Sequence, residues 1–169
     1  MNTLVRLLAS AIVMGLGATL TFDLWGQLLK RAFHIPPSDI CLVGRWLCYM
    51  PQGIFKHVHI ASTPPKRAEC TVGWVGHYSI GTAFATAFVA LVGTGWLQHP
   101  TPGPAELFGI VTVLAPFFIM QPLFGLGLAA AKTAHPAQAR LRSLMNHAAF
   151  GAGLYLFAWL AGGLLALVF

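Results

Sequence analysis

Long apolar runs separated by short polar connections dominate this chain. Four windows, about 3–29, 73–97, 105–131 and 143–169, are apolar over the roughly 20 residues that a helix needs to cross a hydrocarbon layer of ~30 Å. The window 73–97 contains no Lys, Arg, Asp or Glu. The pattern therefore predicts an all-α integral membrane protein, a four-transmembrane-helix bundle that forms a single membrane domain.

Composition supports this prediction. Hydrophobic residues make up 57% of the chain and charged residues 8%, whereas soluble domains carry roughly 25% charged residues. The first window continues well beyond the ~15 apolar residues of a signal peptide and no small-x-small cleavage site follows it, so we expect an uncleaved helix. The lipid bilayer is the expected partner, and no motif indicates binding to nucleic acid.

The positions of the cations predict an orientation. All Lys and Arg residues except Arg6 lie in or beside the connections between the first and second windows and between the third and fourth. Because cations near helix ends stay in the cytoplasm, we expect loops 32–72 and 132–142 to be cytoplasmic and both termini to be periplasmic. Cys41, Cys48 and Cys70 then face a reducing compartment, and they form no CxxC pair. Cys41 and Cys48, seven residues apart on one helix face, could contact a metal, but we expect both to be small buried hydrophobic residues.

The first loop, 32–72, is long enough to have structure of its own. Ser38 and Asp39 offer a helix N-cap, and apolar residues then recur at helical spacing as far as Met50. We expect a short helix in the membrane interface, with Trp46 and Tyr49 at the level of the lipid headgroups. A re-entrant segment is the alternative.

Prolines and small residues predict how the long helices bend and pack. Pro116 and Pro122 each interrupt helical hydrogen bonding, so we expect kinks in the third helix. Small residues four apart allow helix backbones to approach closely in lipid. Such pairs occur at Ala11/Gly15, Gly81/Ala85, Gly125/Ala129, Ala149/Gly153 and Ala158/Gly162.

A few polar residues interrupt the apolar windows at similar depth. With a rise of 1.5 Å per residue, Asp23 lies ~10 Å from the cytoplasmic boundary, His77 and His147 lie ~6–8 Å from it, and Gln121 lies ~15 Å from it. An ionised Asp near the bilayer centre costs ~3 kcal/mol. We therefore expect these residues to face one another in a shared polar site. The alternative for Asp23 is to reach the headgroups or pair with a loop cation.

The imidazoles suggest what the shared site binds. Neutral imidazole is a ligand for several transition metals and for haem iron. We predict cofactor binding by His77, His147, Asp23, Gln121 and Tyr78, with Tyr78 and Gln121 acting as hydrogen-bond partners between helices. The predicted metal ligands are His57, Glu69, His77 and His147, with a transition metal ion or haem as the cofactor.

Four stretches of the sequence resemble one bacterial membrane-protein family, called domain of unknown function 2938. They are Val43-Gly-Arg-Trp46, GWVGHYSIGTAFA at 73–85, PFFIMQPLFGLG at 116–127 and ARLRSLMNHAAFGAGLY at 139–155. The resemblance runs in order over nearly the whole chain. It implies a small four-helix protein of the bacterial inner membrane and supplies no reaction.

Three functions are compatible with these residues. The first is a metal or haem site between the second and fourth helices. The second is proton-coupled movement of a small solute, with Asp23 and His77 exchanging a proton. The third is an accessory or structural role through a homo-oligomer or a membrane partner protein. The sequence has no Ser-His-acid order, HExxH or phosphate loop, so it supports no particular enzymatic reaction.

Overall fold

The fold is built from helices, and the part of the chain that the structure describes contains no strand. The structure is a computed structural model that describes the backbone of residues 3–168 and the side chains of residues 3–162. The last position of the fourth predicted window, Phe169, lies outside the described residues. Among the described residues, four helical segments are long and apolar enough to span a membrane: Thr3–Phe33, Glu69–Gln98, Pro102–Leu123 and Pro136–Gly162. This confirms the predicted fold class. The helices are α1 (Thr3–Phe33), α2 (Ile40–Tyr49), α3 (Glu69–Gln98), α4 (Pro102–Val111), α5 (Gln121–Leu123) and α6 (Pro136–Val168).

The chain divides into two compact units. The bundle unit comprises the described parts of Met1–Pro37, Tyr78–Val111 and Asn146–Phe169. The loop unit comprises Ser38–His77 and Thr112–Met145. The assignment of the whole chain to one membrane domain stays a prediction.

The first helix, α1, shows why the bundle unit forms. One face of α1 carries large apolar side chains every four residues, each between 44% and 60% exposed, as expected of a surface that meets lipid. These residues are Leu4, Leu8, Ile12, Leu16, Leu20, Leu24 and Leu28. The opposite face is buried in a core that includes Ala11, Met14 and Ala18, together with Phe88 and Leu154.

Small residues hold the helices of the bundle unit close together. A side chain at Gly15 would meet the backbone of Thr82 on α3, and one at Gly153 would meet the backbone of Ala18 on α1. Likewise, Gly109 of α4 lies directly against the backbone of Gly151 of α6. Backbone contact of this kind is the main source of helix association where lipid supplies no hydrophobic drive. The small-residue pairs therefore have the predicted role at Gly15 and Gly153.

The third membrane span is broken, as its prolines predict. The α4 helix ends at Val111, a π-helix covers Pro116–Met120, and the short α5 ends at Leu123. The predicted window extended to residue 131, and this end point is wrong because Gly125 and Gly127 adopt φ values of +83° and +75°. Glycine is the residue that adopts such values readily. The predicted helix-packing pair Gly125/Ala129 therefore lies outside any α-helix.

The short helix in the first loop is present where the sequence predicts it. The Asp39 side chain accepts a hydrogen bond of 3.0 Å from the backbone N–H of Cys41, which caps the start of α2. Trp46 and Tyr49, however, are each only 9% exposed. Trp46 donates from Nε1 to the carbonyl of Phe55 and Tyr49 donates to that of Pro64. Both rings are therefore buried within the protein, and their position at the level of the headgroups stays a prediction.

Two of the three cysteines form a disulfide, contrary to the sequence-based expectation. Cys41 of α2 is bonded to Cys70 at the start of α3. Cys48 has a free thiol. Close approach of α2 to α3 brings the two cysteines together, since Gly44 lies against the backbone of Glu69 and Gly73 against the backbone of Ile40. Sequence spacing alone could not reveal this pairing, because the two cysteines are 29 residues apart.

Candidate functional site

The central polar contact of the bundle unit joins two membrane-spanning helices. Tyr78 of α3 donates a hydrogen bond of 3.1 Å from its hydroxyl to Oδ2 of Asp23 on α1. Both side chains are half-buried. Close packing of α1 on α3 one to two turns away, where Thr19 lies against Gly81, positions the two residues. Tyr78 therefore has the role predicted for it, a hydrogen-bond partner between helices.

A histidine of α6 lies beside this contact. The His147 ring packs edge-on against Phe22, the residue before Asp23, with ring centroids 5.8 Å apart. In α6, His147 and Gly151 lie one turn apart on the face that α4 crosses. The backbone carbonyl of His147 faces Gly109 of α4. Asp23, Tyr78 and His147, three residues that the sequence analysis selected, thus belong to one compact unit.

A second membrane-embedded acid was missed by the sequence analysis. Glu106 of α4 packs against Gly151 of α6, with both its Cα and its carboxylate close to the glycine. It is the second residue of the third predicted window, 105–131, and the only acidic residue of the span Pro102–Leu123. A carboxyl group in an apolar window is by itself a signal for a functional residue. An ionised carboxylate within a membrane is energetically unfavourable, which was the reason to select Asp23, and the same reason applies to Glu106.

The other predicted residues lie in the loop unit. The Trp74 and His77 rings meet edge-on, with centroids 6.0 Å apart. Gln121 is buried and donates from Nε2 to Ser143 Oγ over 3.4 Å, which makes it a helix-to-helix partner as predicted. Whether His77 faces His147 in a common site stays a prediction.

Arg45 organises the loop unit, a role that sequence reasoning did not assign. Its guanidinium forms a bidentate pair with Glu69, through Nε at 2.9 Å and Nη2 at 2.7 Å. Nη1 donates to the backbone carbonyls of Ile60, Ala61 and Thr63. The side chains of Arg45 and Glu69 are only 12% and 11% exposed. The hydrogen bonds to Glu69 raise the pKa of Arg45, so its guanidinium is charged near pH 7.

This ion pair engages the carboxylate that was predicted to bind a metal. Both oxygens of Glu69 accept hydrogen bonds from Arg45, and Oε2 also accepts one from the Lys66 backbone N–H at 2.7 Å. Across the described residues, no three His, Cys, Asp or Glu side chains form a group that could hold a metal ion. A haem needs only axial ligands from the protein, so the metal and haem assignments stay predictions.

The remaining predicted ligand, His57, is buried in the loop unit. It is 6% exposed, its Nδ1 lies 3.1 Å from Thr63 Oγ1, and its ring packs edge-on against Tyr49. Its Nε2 is buried and has no hydrogen-bond partner among the described residues. Burial lowers the pKa of His57 below the ordinary value of 6.5. The imidazole is therefore neutral near pH 7.

A cavity of about 630 Å³ opens in the bundle unit near the start of α1. Its polar lining includes Arg6 and Ser10 of α1 and Thr94 and Gln98 of α3. The α3 helix is interrupted beside it at Gly93, whose φ of +68° is in the left-handed region. The volume is within the ~300–1,000 Å³ typical of small-molecule sites.

Comparison with known proteins gives a family and no activity. The model of the family described as "Protein of unknown function (DUF2938)" matches residues 12–161. No curated protein and no solved structure matches the chain. Asp23, Tyr78, Glu106 and His147 all lie within the matched residues.

Proposed function

Because the chain belongs to this family of unknown function, whose description names no activity, we propose from its own residues that it moves a small solute across the membrane together with protons. The observation that carries the proposal is the hydrogen bond between Asp23 and Tyr78. In this proposal, Asp23 is the proton-binding group of the transport cycle. The chain is a multi-pass membrane protein, in which an ionisable side chain within a span is energetically unfavourable. Such a residue is therefore a candidate functional residue.

The Asp23–Tyr78 pair has the chemistry that proton coupling requires. A carboxylate inside a membrane costs several kcal/mol if it is ionised without a partner, so proton uptake and partner exchange are tightly linked. The Tyr78 hydroxyl donates a hydrogen bond to the Asp23 carboxyl group, so the state of that group is linked to the contact between α1 and α3. A helix movement that breaks the hydrogen bond would change the partners of the carboxyl group. Proton binding and helix movement would then drive each other.

His147 and Glu106 provide further proton-binding groups in the same unit. His147 contacts Phe22, next to Asp23 in α1, and Glu106 packs against Gly151, one turn beyond His147 in α6. Chains of Asp, Glu and His mark proton relays in membrane pumps and transporters. We assign His147 and Glu106 to proton movement between Asp23 and the rest of the bundle unit.

The cavity near the start of α1 is the proposed solute entrance. Its lining combines one cation, Arg6, with neutral hydrogen-bonding side chains, which suits a small polar or anionic solute. Along α1, Ala11, Met14 and Ala18, each at most 1% exposed, separate the cavity from Asp23. This arrangement corresponds to a closed state. The break at Gly93 supplies a point at which α3 can bend to open it.

A metal or haem bound by His77 and His147 is the second candidate function. It is favoured by the presence of two imidazoles within membrane spans, at similar depth by sequence. Purification in mild detergent followed by an optical spectrum and elemental analysis would test it. A Soret band or stoichiometric metal that is lost in His147→Ala would support it, and the absence of both would exclude it.

We further propose that the protein lies in the bacterial inner membrane with its termini in the periplasm, from the distribution of its cations. The disulfide between Cys41 and Cys70 is of a kind typical of oxidising compartments. In the proposed orientation the loop faces the reducing cytoplasm, where such bonds are rare, so the disulfide favours the opposite orientation. Reporter fusions to the C-terminus, active only in the periplasm or only in the cytoplasm, would distinguish the two orientations.

Flux measurements in proteoliposomes test the proposed transport. A pH-sensitive dye inside the vesicles would report proton entry when candidate polar and anionic solutes are added outside. We expect solute-dependent proton flux in the wild type, loss of it in Asp23→Asn, and retention in Asp39→Asn. The last variant is a matched control because Asp39 caps α2 in the loop unit and Asn also caps helices well. A solute-dependent flux of equal size in Asp23→Asn would refute the coupling mechanism.

A further inference from the structure

A cationic cavity in the loop unit has no part in the transport proposal. Its volume is about 540 Å³. Its lining includes Lys56 and Lys132, both exposed, and contains no Asp or Glu. Two lysines and no carboxylate among the lining residues favour an anionic ligand.

His57, which is buried and lines this cavity, limits the kinds of anion that would fit. The Thr63 hydroxyl donates to the carbonyl of His59 over 3.2 Å, so its oxygen accepts a hydrogen bond from the Nδ1–H of His57. A neutral imidazole that donates from Nδ1 has an accepting lone pair on Nε2. That Nε2 is buried and has no partner among the described residues. The complementary ligand therefore combines negative charge with a hydrogen-bond donor.

The cavity wall is built from closely apposed backbone. His57 donates its backbone N–H to the carbonyl of Leu123 over 2.8 Å, and Ile60 donates to that of Phe124 over 3.0 Å. Gly125 lies directly against the carbonyl of Val58, with a φ of +83° that disfavours any other residue. Gly125 and these two backbone hydrogen bonds fix the position of the loop segment around His57 relative to the loop that carries Lys132.

We propose that this cavity binds a phosphate monoester, with Lys56 and Lys132 contacting the anionic oxygens and His57 Nε2 accepting a hydrogen bond from the protonated one. A singly protonated monoester offers both the charge and the donor, whereas sulfate and phosphodiesters have no such proton at neutral pH. The source of the monoester is a free phosphate or the headgroup of phosphatidic acid. Val58 and Leu128, which are 98% and 59% exposed, would adjoin the acyl region of a lipid.

Binding to the delipidated full-length protein in detergent tests this proposal. Inorganic phosphate would be titrated by calorimetry, with sulfate as the comparison anion. Native mass spectrometry would count bound phosphatidic acid against bound phosphatidylglycerol, a phosphodiester. The Lys56→Ala, Lys132→Ala double variant changes only exposed side chains, and Arg67→Ala is the matched control because Arg67 is exposed in the same unit and does not line the cavity.

We expect phosphate, phosphatidic acid or both to bind to the wild type and to Arg67→Ala. The binding affinity of the double variant should be at least about tenfold lower, because two cations near a surface have been removed. Binding of phosphatidic acid alone identifies the lipid as the source, and binding of phosphate alone identifies a free ligand. Equal affinity in the double variant, equal binding of phosphatidylglycerol, or binding of neither probe would overturn the proposal. In His57→Phe, the preference for phosphatidic acid over phosphatidylglycerol should disappear.

Discussion

Tyr78 on α3 donates a hydrogen bond to Asp23 on α1 over 3.1 Å, and both residues lie within membrane-spanning helices. The contact joins the carboxyl group proposed to bind the proton to a second helix. Its geometry follows from close helix packing, since Gly81 lies against Thr19 within one to two turns of it. Stability, proton binding and helix movement should therefore all depend on this pair.

Removal of the Tyr78 hydroxyl should destabilise the bundle unit. A side-chain hydrogen bond between membrane helices contributes about 0.6–1.7 kcal/mol, so we expect Tyr78→Phe to lower the free energy of unfolding by about that amount. Unfolding in mixed micelles, followed by circular dichroism, measures the change. Tyr155→Phe is the control, because Tyr155 packs beside the same core and its hydroxyl has no hydrogen-bond partner among the described residues. Equal stability of the two variants would argue against the contact.

Loss of the Arg45 guanidinium should disrupt the loop unit. In Arg45→Met the largely buried carboxylate of Glu69 loses its ionic partner, and the carbonyls of Ile60, Ala61 and Thr63 lose their donor. Breaking a buried ion pair from one side costs about 3–5 kcal/mol. We expect faster chymotryptic cleavage within the first loop. Arg67→Met removes an exposed cation instead, and a cleavage rate no faster in Arg45→Met than in Arg67→Met would contradict the assigned role.

Two glycines of α3 should respond oppositely to the same substitution. A Cβ at Gly73 would collide with the Ile40 backbone, whereas a Cβ at Gly95 would meet nothing within 4 Å. We expect Gly73→Ala to lose about 1–3 kcal/mol of stability from overpacking. By contrast, Gly95→Ala should gain up to about 1 kcal/mol from helix propensity. Thermal unfolding of both variants checks the signs, and stabilisation by Gly73→Ala would show that α2 does not approach α3 as closely as the structure has it.

The pH dependence of stability should reveal the burial of His57. Burial lowers its pKa in the folded state below the value of 6.5 that it has when exposed. The unfolded chain then binds more protons, so stability is fully present above about pH 6.5 and declines as pH falls toward the folded-state pKa. We expect this decline to be smaller in His57→Phe than in the wild type. His59→Phe alters an exposed neighbour and should retain the decline, and a decline of unchanged size in His57→Phe would rule out the burial effect.

The sequence predicted features that depend on local chemistry. Asp39 caps α2 as expected, because an N-cap needs only its own first turn. Pro116 and Pro122 lie in the broken part of the third span, because a proline removes a helical hydrogen bond wherever it occurs. Tyr78 was expected to bond to another helix, since an apolar window leaves its hydroxyl no water.

Features that depend on long-range packing were not predictable. Arg45 was interpreted only as a cytoplasmic cation, since its partner Glu69 is 24 residues away and is reached only because α2 packs on α3 at Gly44 and Gly73. The Cys41–Cys70 bond depends on the same packing. Glu106 was different, because its position in an apolar window was visible in the sequence and was overlooked.

Infrared difference spectroscopy of the reconstituted protein tests the central claim most directly, because it reports protonation of carboxyl groups without knowledge of the solute. On lowering the pH, we expect wild type and Asp39→Asn to gain a carboxylic acid C=O band that Asp23→Asn lacks. In Tyr78→Phe, the band should be shifted because the hydroxyl partner is gone. A band of the same position and intensity in Asp23→Asn and in the wild type would contradict the account, because Asp23 would then not be the group that binds the proton.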